Sequence, residues 1–183
     1  MKLKELIRRI ALNRQEDFPF PEDLEAYLDD FVPNMLLKSD TLQQAFGVSG
    51  YEMEEVYYEA YRFYQEDIYL KSSTAFRWLI LLNPFVDKYW KGLAASLQLL
   101  GKYEKALHAY AMAALLDSDN PYPHFHAYEC YEDMQNPEDA EKALDLAYQR
   151  TLGNEAYRDL QVEIETCKKQ RGGYLCHTAS KQR

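Results

Sequence analysis

At 183 residues and 21.5 kDa, with 47% hydrophobic and 28% charged residues, the chain has the composition of one globular domain with a sizeable core. It contains 21 Lys and Arg against 30 Asp and Glu, which gives a net charge of −9. Such an acidic surface repels phosphate backbones. The composition therefore excludes disordered and fibrous classes and argues against nucleic acid as a partner.

The cysteines and the apolar runs indicate where the protein works. Three cysteines are too few for a disulfide framework, and free thiols are typical of a reducing compartment. The strongest apolar run, Trp78–Leu82, is five residues long, whereas a membrane span needs roughly 18–20. The N-terminus lacks the pattern of a signal peptide. We therefore expect a cytoplasmic protein without stable membrane insertion.

The first predicted elements lie in an N-terminal arm, residues 1–50. Residues 16–30 carry seven acidic side chains and no Lys or Arg. Apolar spacing predicts a helix over Pro21–Phe31, and Ser39 is a suitable N-cap for a second short helix ending at Phe46. The arm either forms a homodimer with a second copy or caps the first repeat. The candidate dimerisation residues are Leu24, Tyr27, Leu28 and Phe31.

Residues 87–120 carry the pattern of a tetratricopeptide repeat, a pair of antiparallel helices with a 34-residue period. Small residues at its eighth, 20th and 27th positions allow close helix contact, and larger ones fill the space around that contact. A glycine at the fifteenth position ends the first helix. The matching residues are Trp90, Leu93, Ala94, Gly101, Tyr103, Ala106, Tyr110 and Ala113.

Weaker copies of this pattern lie 34 residues to either side. Asp67 replaces the usual glycine in the first copy, and Pro137 replaces an aromatic residue in the third, which predicts altered turns there. We expect an all-α fold: three tetratricopeptide helix-turn-helix repeats in a right-handed solenoid over residues 51–152. Residues 153–183 would form a C-terminal capping helix over Asn154–Gln170 and a mobile tail from Gly172.

Catalytic and metal-binding patterns are weak in this sequence. His124 and His126 would point about 200° apart on a helix, so they could not grip one metal. Cys176 and His177 lie in the predicted tail. No glycine-rich phosphate loop or nucleophile elbow is found. We therefore expect a binding protein, with no enzymatic activity, no metal and no other cofactor.

The first helix of each pair lines the concave groove of such a solenoid. The first pair presents tyrosines there, whereas Gly92 and Ala95 of the second pair are expected to leave hollows. An extended peptide with apolar or proline anchors would suit this surface. Alternatively, the tyrosines pack beneath the N-terminal arm. The predicted groove residues are Tyr57, Tyr58, Tyr61, Tyr64, Lys91, Gly92, Ala95, Leu99, Phe125, His126 and Glu129.

Three segments carry a family resemblance: Val56–Tyr64, Trp90–Ala95 and Phe125–Cys130. Together they resemble the class II chaperones of type III secretion, which serve hydrophobic translocator proteins of Gram-negative bacteria. The resemblance implies a cytoplasmic, ATP-independent chaperone that keeps a secreted translocator or effector soluble by clamping a proline- and leucine-containing segment. It also implies that Tyr57, Tyr64 and Tyr69 occupy the matching aromatic positions.

Two other binding functions remain open. A scaffold within a secretion apparatus would hold folded partners on its convex face, and the proteins that co-purify would distinguish it from a chaperone. An adaptor that reads a free C-terminal carboxylate needs Lys and Asn in the groove, but Tyr57, Tyr61 and Gly92 stand at those positions.

Overall fold

The computed structural model describes residues 41–45 and 48–179. The predicted helix over Pro21–Phe31, with its dimerisation residues Leu24, Tyr27, Leu28 and Phe31, lies outside these ranges. The chain forms two compact units, divided between Leu100 and Gly101. The predicted domain limits at residues 50 and 152 stay predictions.

Every regular element in the described ranges is helical, which confirms the all-α tetratricopeptide class. The first unit contains α1 (Leu42–Ala45), α2 (Gly50–Gln65), α3 (Tyr69–Leu82) and α4 (Asp87–Leu99). The second contains α5 (Tyr103–Leu116), α6 (Tyr122–Asp133), α7 (Pro137–Thr151), a 3-10 turn (Glu155–Tyr157) and α8 (Arg158–Ala179). The helices of the three repeats therefore lie where the 34-residue period predicted them.

Side-chain caps determine where α1 and α2 begin. Thr41 Oγ1 accepts from the Gln44 amide at 3.2 Å, and Gln44 Oε1 accepts from the Thr41 amide at 3.2 Å. Ser49 and Glu52 form the same reciprocal capping box at α2. The short helix thus begins after Thr41, two residues beyond the predicted cap Ser39.

Buried hydroxyl groups connect the three long helices of the first unit. α3 packs against both α2 and α4. Ser72 Oγ donates to the Ala60 carbonyl of α2 at 2.9 Å and lies 2.9 Å from Ser96 Oγ of α4. Both serines are fully buried, and a buried hydroxyl needs such partners. Small side chains therefore allow close helix contact and also satisfy the polar groups at that contact.

The second unit has its own apolar core, to which α8 contributes. Leu160 and Ile164 are buried against α6 and α7, and Cys167 packs beside them. α8 therefore packs on the last repeat as a capping helix would, although it begins at Arg158 rather than at the predicted Asn154. α8 extends beyond the predicted end of the capping helix and continues to Ala179, and the mobility of the tail stays a prediction.

The turn that ends the first helix of each repeat has the same backbone conformation. Asp67, Gly101 and Gln135 follow one another at 34-residue intervals, with φ of +59°, +69° and +56°. At Asp67 and Gln135 the next residue's amide bonds back five residues, to Phe63 and Tyr131, as in a Schellman motif. The predicted altered turns are therefore wrong: Asp67 takes the glycine conformation, and Pro137 is the first residue of α7.

Glycine at this turn should change stability in a predictable direction. The Gln135 side chain is exposed, so Gln135→Gly should remove backbone strain and raise the free energy of unfolding by up to about 1 kcal/mol. Gly101→Ala should lower it by about 1 kcal/mol, because the added Cβ meets no atom within 4 Å and only the φ is unfavourable. Urea denaturation of both variants tests this, and a stabilised Gly101→Ala would contradict it.

Candidate functional site

A continuous row of aromatic rings covers one side of α2. Tyr57, Tyr61 and Tyr64 follow one another at helical spacing, with ring centroids 6.4 and 6.3 Å apart, and Tyr69 at the start of α3 lies 5.7 Å beyond Tyr64. We call these four residues the tyrosine face. Tyr61 is 44% exposed and the other three are half-buried. Tyr58 is 67% exposed, and it is not one of the four.

The tyrosine face rests on buried aromatic rings. Tyr57 meets Phe76 edge-on with centroids 6.0 Å apart, and the Tyr89 ring lies at the same distance. Burial is the main cause that raises the pKa of Tyr89 to about 12, and the nearby Glu54 carboxylate and Tyr57 add to the effect. This phenol is therefore neutral at physiological pH. The sequence did not indicate Tyr89 as a support. It is adjacent to the core residue Trp90, and helical spacing does not show that both side chains are buried.

A charged pair borders the face beside Tyr57. Lys88 Nζ lies 4.3 Å from the Tyr57 ring centroid, within the range of a cation–π contact. Both Glu54 carboxylate oxygens accept from this ammonium, at 2.6 and 2.8 Å. Since Glu54 is on α2 and Lys88 is on α4, the pair restrains one end of the face.

Gly92 does not leave the hollow that the sequence predicted. A Cβ at this position would lie 2.2 Å from Phe76 Cζ, so the aromatic ring already occupies the space. Phe76 is 1% exposed. Gly92 therefore acts on the face indirectly, by allowing Phe76 to lie beneath Tyr57.

The other predicted residues of α4 differ in their surroundings. Lys91 Nζ pairs with Asp87 at 2.5 Å, and both side chains are about one-third exposed. Ala95 is half-buried, and Leu99 is 51% exposed. Leu99 thus offers apolar surface, whereas the Lys91 charge already has a carboxylate partner.

In the second unit, the prediction for Phe125 as a surface residue is wrong. Its side chain is 6% exposed and belongs to the core formed with Leu144, Ala147, Leu160 and Ile164. Phe125 lies one residue from His126, and a helix turns about 100° per residue. The inward face of α6 therefore takes Phe125 and leaves His126 at the surface.

His126 and Glu129 do come together. His126 Nδ1 lies 2.8 Å from Glu129 Oε2, and both side chains are 40% exposed. The imidazole stacks between Tyr110 and Tyr122, with centroids 5.5 and 6.3 Å away. The helical spacing of Tyr122 and His126 predicts that both lie on this side of α6. Tyr110 could not be predicted from spacing, because it belongs to a different helix.

Metal-binding and titratable groups are the other candidates for chemistry among the described residues. Among them, no group of three His, Cys, Asp or Glu is placed to hold a metal ion. Burial raises the pKa of the Cys130 thiol to about 12, with further contributions from Glu129 and Asp133. Burial also lowers the pKa of His124, and Arg150 adds to this effect. In the same part of the chain, no helix is long and apolar enough to cross a membrane.

Comparisons with known proteins agree with the repeat and extend it. The tetratricopeptide repeat family matches residues 88–120, the segment assigned above to the second repeat. One chain of the CopN–Scc3 complex is 45% identical, with a TM-score of 0.77 over 90% of this chain and 97% of that one. The chaperone protein SicA of Salmonella typhimurium is 29% identical over 144 residues, covering 79% of this chain and 87% of SicA.

A fourth comparison concerns a structure with a bound peptide. The type III secretion chaperone SycD of Yersinia enterocolitica, in complex with a peptide of the translocator YopD, is 28% identical, with a TM-score of 0.62 over 65% of this chain and 91% of SycD. The helix pairs, the recurring turn and the repeat match define a tetratricopeptide-repeat protein. One matched chain is 45% identical and is covered to 97%, and the other matches are chaperones of type III secretion. This chain therefore belongs to the tetratricopeptide-repeat chaperones of type III secretion.

The contact between Gly92 and Phe76 can be tested by its effect on stability. Gly92→Ala should lower the free energy of unfolding by about 1–3 kcal/mol, because the new methyl group overlaps a buried ring. Phe76→Leu should also destabilise, but in the double variant the smaller side chain leaves room for the methyl group. Urea denaturation of the four proteins gives the coupling, and strictly additive losses would contradict the contact.

The thiols should differ in reactivity in the folded protein. Cys130 is fully buried with a raised pKa, whereas Cys167 is partly exposed. Because the thiolate is the reactive form, iodoacetamide at pH 8 should modify Cys167 at least about tenfold faster than Cys130. Peptide mapping by mass spectrometry measures the two rates separately. Equal rates without denaturant would contradict the burial of Cys130.

Proposed function

We propose that this chain binds an extended segment of a hydrophobic secreted client, a translocator or effector, and keeps it soluble and competent for secretion. Membrane-seeking segments aggregate in water unless their apolar side chains are covered. Binding of one segment by a folded chaperone lowers the concentration of the free form. The net charge of −9 would keep the complex dispersed.

The tyrosine face is the observation that carries this proposal. Its four rings combine apolar area with hydroxyl groups that can bond a peptide backbone. Each buried side-chain anchor of a client contributes about 1.5–3 kcal/mol. Three such anchors contribute roughly 5–9 kcal/mol before the entropy of association is subtracted. A micromolar dissociation constant requires about 8 kcal/mol net, so backbone hydrogen bonds and further apolar contacts must add to the anchors.

The neighbouring proteins support the same function. SycD binds a peptide of the translocator YopD in its crystal structure, and a chain at 45% identity is part of the CopN–Scc3 complex. By analogy, we infer a cytoplasmic chaperone that works without catalysis. The predicted homodimer through Leu24, Tyr27, Leu28 and Phe31 is a separate proposal, which deletion of the arm would test by its effect on the oligomeric state.

Substitution at the centre of the tyrosine face tests client binding. Tyr61→Ala should weaken peptide binding about tenfold or more, the effect of losing one buried anchor. Tyr61 is partly exposed, so the fold should survive. The probes are fluorescently labelled overlapping peptides that tile CopN and YopD, the proteins named in the two similar complexes. Fluorescence anisotropy gives the dissociation constants.

Tyr51→Ala is the matched control. Tyr51 lies on the same helix, is 71% exposed and is not part of the tyrosine face, so its loss should change affinity less than twofold. Circular dichroism should show equal helicity in both variants. Equal affinity of the Tyr61→Ala variant and the wild type, or binding of none of the peptides, would contradict the proposed function.

A further inference from the structure

The first repeat has an aspartate where its neighbouring repeat has glycine. Asp67 has a φ of +59°, in the left-handed region that is unfavourable for residues with a Cβ. Gly101 occupies the corresponding position of the second repeat. Glycine at Asp67 would relieve the backbone, so the aspartate side chain is expected to contribute something that glycine lacks.

That contribution is a contact with the tyrosine face. Tyr69 Oη donates to Asp67 Oδ1 at 2.5 Å, and the ring of Tyr69 meets Tyr64 edge-on, with an interplanar angle of 62°. Asp67 is exposed and Tyr69 is half-buried. A hydrogen bond at such a surface contributes little to folding. It does, however, fix the rotation of the tyrosine at the end of the face.

The turn itself brings the two groups together. In the Schellman motif, the amides of Asp67 and Ile68 bond back to Tyr64 and Phe63, so the chain reverses and α3 begins immediately. Tyr69, the first residue of α3, follows Asp67 by two residues. The hydrogen bond to Asp67 is the leading cause that raises the pKa of Tyr69, which favours the protonated, donating form of the hydroxyl.

We propose that Asp67 is a positioning residue for client binding: its carboxylate holds the Tyr69 hydroxyl so that the Tyr69 ring is oriented for the peptide before the peptide arrives. Preorganisation of this kind raises affinity because less conformational freedom is lost on binding. This inference rests on the proposed function, since it assumes that the tyrosine face binds the client. Asp67 would thus raise the affinity for the client, and its left-handed backbone would lower the stability slightly.

The test separates affinity from stability. Asp67→Gly should weaken peptide binding about three- to tenfold, the range of one lost hydrogen bond. Its melting temperature should equal or exceed that of the wild type, because relief of the left-handed backbone offsets the lost surface contact. A merely structural role would move affinity and melting temperature in the same direction.

Conservative variants identify the hydrogen bond as the cause. Asp67→Asn should recover most of the affinity, because asparagine tolerates the left-handed region and its amide oxygen can accept from Tyr69. Tyr69→Phe keeps the ring and removes the donor, so it should weaken binding as much as Asp67→Gly. Combining the two should add no further loss, because each variant already breaks the same bond.

Gln135→Gly is the matched control for the backbone change. It introduces glycine at the corresponding position of the third repeat, where we expect higher stability and unchanged affinity. The probe is the tiled CopN or YopD peptide whose binding is weakened by Tyr61→Ala. Undiminished binding by Asp67→Gly or Tyr69→Phe would overturn the positioning role while leaving the proposed function intact. Insensitivity of every peptide to Tyr61→Ala would instead contradict the proposed function itself.

Discussion

The surface of the first unit depends on the contact between the Phe76 ring and the backbone of Gly92. A Cβ on residue 92 would lie 2.2 Å from Phe76 Cζ, so any side chain at this position would overlap the ring. Tyr57 rests edge-on against that ring, and Tyr61 and Tyr64 follow along α2. A helix–helix contact in the core thus supports the Tyr57 end of the tyrosine face.

Much of the fold could be predicted from the sequence, because the repeat is recognised by small side chains at fixed positions. Ala60, Ala94, Ala106, Ala113 and Ala140 are buried, where the 34-residue period requires small side chains. Turn conformation was less accessible. Asp67 in the first repeat and Pro137 in the third indicated altered turns, but the hydrogen bonds of the Schellman motif hold Asp67 and Gln135 in the left-handed region. The hydrogen bonds of the whole turn therefore determine its backbone conformation more strongly than the preference of a single residue does.

The candidate site was predictable where one helix presents it. Tyr57, Tyr61 and Tyr64 could be placed on one side of α2 from spacing alone, and a family resemblance added Tyr69. Sequence could not reveal that the space beside Gly92 is filled by a ring from α3, since such filling depends on tertiary packing. The prediction that Phe125 lies in the groove was also wrong, because an aromatic residue beside a surface position can equally well lie in the core.

The most direct test of the account is whether a client contacts the tyrosine face. With ¹³C-labelled tyrosine, the ring resonances of Tyr57, Tyr61, Tyr64 and Tyr69 can be assigned by substitution and followed by NMR as a binding peptide is added. The account predicts that these four resonances shift and saturate together while that of Tyr51 stays in place. Saturable binding that shifts Tyr51 and leaves the four unchanged would contradict it.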